Sequence, residues 1–317
     1  MCDDHRNTPH SHLISGIRPA RTTFAQKAEK VTPPPWFRDS TQLRALIQGA
    51  WDEVSAEFTD KLLKLIGDGD YDAVEKLLSA NEGLGGEAAQ LLAKGPEAVL
   101  LNMHLKADSW WKLHGEEAGV KKTVGLTEKY QRLMAKAQAN QVLSFVEKFP
   151  ERVLHPEIIR QLQYLQDTAR PDALTISGIA DRLERFSKAD DYWGKITDTH
   201  VARAWVGDGI RYAKENGIAV GRVTGPMDNK TCPVCRHMIG LPISIDKAIA
   251  KLDRDLGITD PEKYVEAWKF PRIEDVDNMS REKLRGLAEE NGWYGAFHPH
   301  CRHYVAWLYA AEMREAA

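Results

Sequence analysis

The sequence predicts an α+β fold that is mainly α, with an N-terminal helical bundle followed by a small strand-and-helix domain. Three observations predict it. Apolar residues recur at three- and four-residue steps from Asp39 to about residue 168, and short alternating segments appear only beyond Gly217. Three of the four cysteines fall in one split pattern, Cys232-Pro233-Val234-Cys235 and then His298-Pro299-His300-Cys301-Arg302-His303. Cysteine pairs and histidines at such spacings are the ligand set of a structural zinc site, so the second domain is expected to be stapled by zinc.

Length and charge bound the rest. At 317 residues the chain can bury two cores of ordinary size, and a net charge of −3 gives it no overall basic field to draw it to DNA. The longest apolar run, Tyr304 to Ala311, falls well short of the ~20 residues of a membrane span, and the polar start Met1-Cys2-Asp3-Asp4 carries no signal-peptide core, so no membrane contact is expected. With Cys2 alone at the terminus and the other three clustered, a reducing compartment is expected rather than a disulfide framework.

Residues 1–35 read as a flexible arm: they hold three histidines, Arg18, Arg21, Lys27 and Lys30, and end on Pro33-Pro34-Pro35. A helical domain is expected over 36–170. Its first helix runs from Asp39, with Gln42 completing a capping box, through Leu43, Ile47, Trp51, Phe58, Leu62 and Ile66 to a stop at Gly67 and Gly69. Further helices are expected over 71–79, 96–114, 127–149 and 156–168. Pro171 marks the joint to the second domain, 171–317. Ile176, Ile179, Leu183 and Phe186 suggest a helix, and 198–216 another that ends on Gly217. Val220 to Thr224 and Tyr304 to Tyr309 read as strands flanking the two halves of the cysteine pattern. Between those halves lie 62 residues, 236–297, with helical stretches near 248–256, 262–268 and 281–291, so a helical insertion is expected at about 246–297.

For the ion, Cys232 and Cys235 grip from one tight turn and Cys301 is the next ligand. His298, three residues before Cys301, is favoured as the fourth. His303, two residues after it, is the alternate, or supports a ligand through a hydrogen bond. His300, adjacent to Cys301, would point the other way in extended chain. A catalytic ion needs an open coordination position and a nearby base, which nothing obvious supplies, so the zinc is read as structural and no catalytic residue is assigned. The plain competing reading is three reduced thiols and surface histidines with no metal.

Other motifs fall short. His155-Pro156-Glu157 has the H-x-E shape of zinc deaminases without their P-C-x-x-C partner and reads as a helix start. Cys232 to Cys235 also looks like a redox pair, but Gly240 and Pro242 would cut short the long helix such a pair opens. Asp68, Asp70 and Asp72 imitate a calcium loop, but Ala73 and Ser79 stand where its glycine and closing glutamate belong. Gly115 to Thr123 lacks a phosphate-cradling Gly-Lys-Ser/Thr step, and Trp110-Trp111 reads as packing rather than a binding platform.

The segment Asp228-Asn229-Lys230-Thr231-Cys232-Pro233-Val234-Cys235, the following Gly240, and His298-Pro299-His300-Cys301-Arg302-His303 resemble the phage head morphogenesis family of Mu F-like minor head proteins. That family shows an Asp-x-x-Thr-Cys-x-x-Cys element, a glycine, and a closing His-Pro-Asn-Cys-Arg-Cys element. The likeness spans about residues 175–310. Here His300 stands at the usual Asn and His303 at the last Cys, and the long insertion is a further departure, expected to form a private helical subdomain. The resemblance implies a minor capsid protein, located in the virion at the capsid interior or portal vertex and in the host cytoplasm during assembly. It implies portal or major capsid protein as partner and phage DNA as a further contact, with a part in packaging or ejecting DNA, and it does not imply catalysis. Alternatives on the same Cys/His module are a zinc-dependent hydrolase of nuclease-toxin type and a thiol oxidoreductase. Another is a DNA-binding module using Arg222, Lys230, Arg236 and Arg302 as a basic cluster.

Overall fold

A 33-residue helix, α1 (Trp36–Asp68), opens the computed structural model. The structure describes residues 36–81, 83–117, 124–166, 189–229, 231–268, 275–276, 278–298 and 301–307. The arm at 1–35, the loop over 118–123, the joint at Pro171 and the helix expected over 176–186 lie outside them, as do Lys230, Pro299, His300 and the strand beyond Trp307. The described residues are mainly helical with one small antiparallel sheet, the α+β, mainly α fold expected.

Asp39 is not the cap of α1. It lies inside the first described turn and is buried in an ion pair with Lys106 of a later helix. The helix stops where expected, at Gly69, whose φ of +72° is left-handed. Asp70 then caps α2 (Tyr71–Ala80), its carboxylate accepting the Ala73 N–H at 3.1 Å. That explains the aspartates that imitate a calcium loop. A helix that the sequence pattern hides follows, α3 (Leu84–Leu92), which contains Gly85 and Gly86. A Cβ on Gly85 would lie 2.1 Å from the Glu147 carbonyl oxygen. The glycine is there for close helix contact, not as a breaker.

Helix α4 (Gly95–Glu117) and α5 (Glu128–Phe149), capped by Thr127 on the Tyr130 N–H, complete the first layer. Helix α6 (His155–Gln166) does not start afresh at His155. A π-helical turn, Pro150–Leu154, joins α5 to it, and the His155 N–H bonds the Pro150 carbonyl. Pro150 has no N–H to offer the α-helical ladder, so a wider turn absorbs the defect and the helix continues.

Helix α7 (Asp190–Glu215) begins well ahead of the Asp198 expected. Trp193, Val201, Ala204, Trp205, Val206, Ile210 and Ala213 are all buried, so this helix is enclosed nearly all round, packed against α1, α4 and α5. A buried polar link runs through it: His104 Nδ1 of α4 lies 2.6 Å from Asp208, and its Nε2 lies 3.0 Å from Gln138 of α5. Burial raises the Asp208 carboxyl, against the pull of His104. Gly217, again left-handed at +72°, ends the helix region as expected.

Strand β1 (Val220–Thr224) is the centre of the sheet, between β2 (Pro242–Ser244) and β3 (Tyr304–Trp307), in the order β2-β1-β3. Arg222 faces Pro242 on one side and Ala306 on the other. Tyr304 of β3 packs edge-on against Trp36 at 5.8 Å and also meets Trp110 and Trp111. Trp111 donates to the Trp205 carbonyl at 3.1 Å. One core therefore runs from the bundle into the sheet, through residues of both expected domains.

Among the described residues the insertion carries the helices α9 (Ile245–Asp255), α10 (Pro261–Ala267) and α11 (Arg281–Asn291), capped by Ser244, Asp260 and Ser280. A short helix α8 (Pro233–Met238) precedes them. They do not stand as a private subdomain. Gln141 of α5 donates to the carbonyls of Asp255 and Ile258 at 2.7 and 2.9 Å, Arg203 of α7 donates to that of Ala296, and Arg211 pairs with Asp253. Buried carbonyls of the segments linking these helices need donors, and the bundle supplies them.

Candidate metal centre

The first ligand segment is a turn built by Thr231. Its buried hydroxyl donates to the Pro226 carbonyl at 2.9 Å and accepts the Asp228 N–H at 3.0 Å. Cys232 follows as the N-cap of α8, its sulfur accepting the Cys235 N–H at 3.5 Å, with Pro233 pre-set at the first helical position. One turn later Cys235 points back toward the same space. The helix is six residues long and gives way to Gly240 at φ +81°, cut short as expected.

The second segment is also a turn. The Cys301 N–H bonds the His298 carbonyl at 3.1 Å, which sets both side chains toward α8. Arg302 forks onto the Asp228 carboxylate at 2.7 and 2.5 Å, and Arg236 donates to the Thr231 carbonyl at 3.0 Å. Arg302 ties one ligand loop to the other, and Arg236 braces the first turn. A basic cluster for DNA thus loses two members to internal contacts.

Five donors lie close together and can hold a metal ion: Cys232, Cys235 and His298 form one triple, and Cys235, Cys301 and His303 another. The His298 Nε2 is 3.2 Å from the Cys232 sulfur and 3.0 Å from that of Cys235. The sulfurs of Cys235 and Cys301 are 3.7 Å apart, and His303 Nδ1 is 3.8 Å from Cys301. Bonds of ~2.3 Å to sulfur and ~2.0 Å to nitrogen at tetrahedral angles put ligand atoms about 3.5–3.8 Å apart. The Cys235–Cys301 and Cys301–His303 spacings match that range, the two His298 contacts are tighter, as in hydrogen bonds, and the sulfurs are far from the ~2.05 Å of a disulfide.

Protonation follows from the crowding. Cys232 is lowered to about 4, chiefly by the hydrogen bond with Cys235 and then by His298. Cys235 moves the other way, raised by Cys232 and Cys301. Burial pushes Cys301 up, but hydrogen bonds with Cys235, His298 and His303 bring it well below its ordinary value. Burial pushes His298 down, yet the sulfurs of Cys232 and Cys301 hold it at about 11. An incoming cation takes the place of those shared protons.

His303 was the residue that spacing left open. Its Nε2 lies 3.1 Å from the Pro226 carbonyl, which can only accept, so Nε2 donates there and Nδ1 is the ring nitrogen set beside Cys301. Gly225 makes room: its φ is +149°, and a Cβ there would lie 2.6 Å from the His303 ring. The sequence marks Gly225-Pro226 as the turn after the first strand but gives it no part in the site, and the bracing role of Arg236 is not legible there.

Elsewhere, His155 belongs to α6 and to neither triple. Trp111 is buried and Trp110 stacks on His114 at 3.6 Å, the packing role expected. No helix among the described residues is long and apolar enough to cross a membrane.

No family model, no curated protein and no solved structure matches the chain.

Proposed function

We propose that the chain is a minor head protein of a phage or prophage, stapled by a structural zinc ion and docking at the portal vertex or inner capsid surface during assembly. One observation carries the reading. Soft donors from two segments 62 residues apart converge on one tetrahedral-sized space, and Asp228, Thr231 and Arg302, which carry the resemblance, brace the loops that present them. Three cysteines and a histidine are a zinc-type set. Five protein donors exceed the four such an ion takes, which favours a closed structural site over one with a position for substrate. A rigid knuckle suits a part that docks on a symmetric vertex, and portal or major capsid protein is the partner of choice. Metal analysis of the purified protein, with pull-down against portal and capsid proteins, tests both halves. The expected result is one zinc per chain and capture of portal or capsid; a zinc-free protein absent from heads at every assembly stage overturns it.

A thiol oxidoreductase is the second reading. Cys232, half-buried at a helix N-cap with its thiol lowered to about 4, favours it. Reversible formation of a Cys232–Cys235 disulfide with turnover of a model disulfide substrate would select it.

A further inference from the structure

We propose that the centre exchanges one ligand: Cys235, Cys301 and His298 hold the ion throughout, and His303 takes the fourth position when Cys232 is withdrawn. The inference rests on the metal reading above and concerns how that site is regulated.

Two donor triples that share Cys235 together offer five donors to an ion that takes four. The two triples meet at Cys235, with Cys232 and His298 in one and Cys301 and His303 in the other; His298 at 3.0 Å and Cys301 at 3.7 Å from the Cys235 sulfur are near enough to serve in either arrangement. Accessibility separates these two. Cys232 is half-buried, whereas Cys235, Cys301 and His303 are buried. A thiolate at the outer rim is the one that alkylating or oxidising reagents reach first.

His303 is prepared for the exchange. The Pro226 carbonyl takes the Nε2 proton's hydrogen bond and so sets Nδ1 toward the Cys301 sulfur, inside the hollow that Gly225 leaves. A carbonyl partner behind a ligating imidazole is the arrangement that orients histidine on metals. Exchange replaces a thiolate by a neutral imidazole, taking a three-cysteine, one-histidine set to two of each. Both sets are closed tetrahedral zinc sites. No electrons move. When a haloacetamide alkylates Cys232, the S–C bond forms as halide leaves, the resulting thioether no longer binds as a thiolate does, and Nδ1 fills the place.

Cobalt(II) binding to the full chain carrying Cys2→Ser tests this, because visible d–d bands report tetrahedral geometry and near-ultraviolet bands count thiolates. Cys232→Ala is expected to keep one cobalt per chain with tetrahedral bands, and to lose about a third of the thiolate band as three sulfurs become two. His303→Ala alone is expected to look like its parent. Cys232→Ala combined with His303→Ala is expected to weaken binding at least tenfold beyond either single change. A Cys232→Ala chain that loses cobalt as fully as Cys235→Ala overturns the exchange. Alkylation of the loaded parent gives an arm free of folding defects: cobalt retained after the first adduct, mapped to Cys232, supports the exchange, and cobalt released with it overturns the exchange. A parent that takes up no cobalt overturns the metal reading and the exchange with it.

Discussion

Around Trp193 and Trp205 the chain encloses long helices whose apolar faces meet on every side, whereas around Cys235 strands of five, three and four residues surround sulfur and imidazole. The first region needs nothing but burial to hold its shape. The second is held by short elements, by the Asp228–Arg302 fork and by Tyr304, which is anchored in the tryptophans of the first, and the proposed ion would add ligand bonds between its loops. The two share one core yet differ in what removes them.

The strongest way to break that comparison is to remove the proposed ion. With zinc bound as proposed, chelation is expected to abolish amide-exchange protection over 220–224, 233–244 and 304–307 while leaving most far-ultraviolet helicity, since structural zinc contributes ~10–16 kcal/mol in small zinc modules. Equal loss of protection in α1 and α7 would show that the regions are not separable. Truncation in the other region should have the opposite pattern. Trp51 is sealed against Phe149 and Trp193, so Trp51→Ala is expected to cost about 3–5 kcal/mol in denaturant unfolding while metal content stays unchanged.

Acid gives the smallest and most graded separation. His200 of α7, stacked on Tyr264 of α10, is lowered to about 3 by burial and then by Arg203. An unfolded histidine titrates near 6.5, so the unfolded chain takes up a proton that the folded chain refuses. Stability from this group is whole above pH 6.5 and falls as pH drops toward 3, by about 1.4 kcal/mol at pH 5.5. Thermal melts at pH 7.5 and 5.5 are expected to differ less in His200→Phe than in the parent, and an unchanged difference would sink the assignment.

Much of the fold was legible because periodicity is local. The helices at 71–80, 128–149 and 281–291 and the strands at 220–224 and 304–307 follow from side-chain spacing and from caps such as Thr127 and Gly217. Helix α3 was hidden because Gly85 answers to a backbone across the bundle, and the run through Pro150 was hidden because a π turn rescues what proline normally ends. The ligand types of the site were legible from chemistry alone. Which histidine faces which sulfur was not, since Pro226 and Gly225 decide the orientation of His303 from 77 and 78 positions away. Nor was the docking of the insertion, where Trp268 lies under the guanidinium of Arg203 at 3.7 Å and the ammonium of Lys251 at 4.4 Å. Nothing in the local pattern distinguishes those cations from surface ones.

The segment from residue 236 to 297 starts inside α8, directly after Cys235, and returns at His298, whose ring nitrogen lies 3.0 Å from the Cys235 sulfur. A bound ion would make this a closed ring whose ends stay together whatever the chain between them does. Ring closure depends only logarithmically on length, so doubling a flexible segment there costs about 0.6 kcal/mol. Added sequence is therefore cheap for the ring itself, and its cost falls instead on the contacts that dock the segment on the bundle, such as Gln141 with the carbonyls of Asp255 and Ile258.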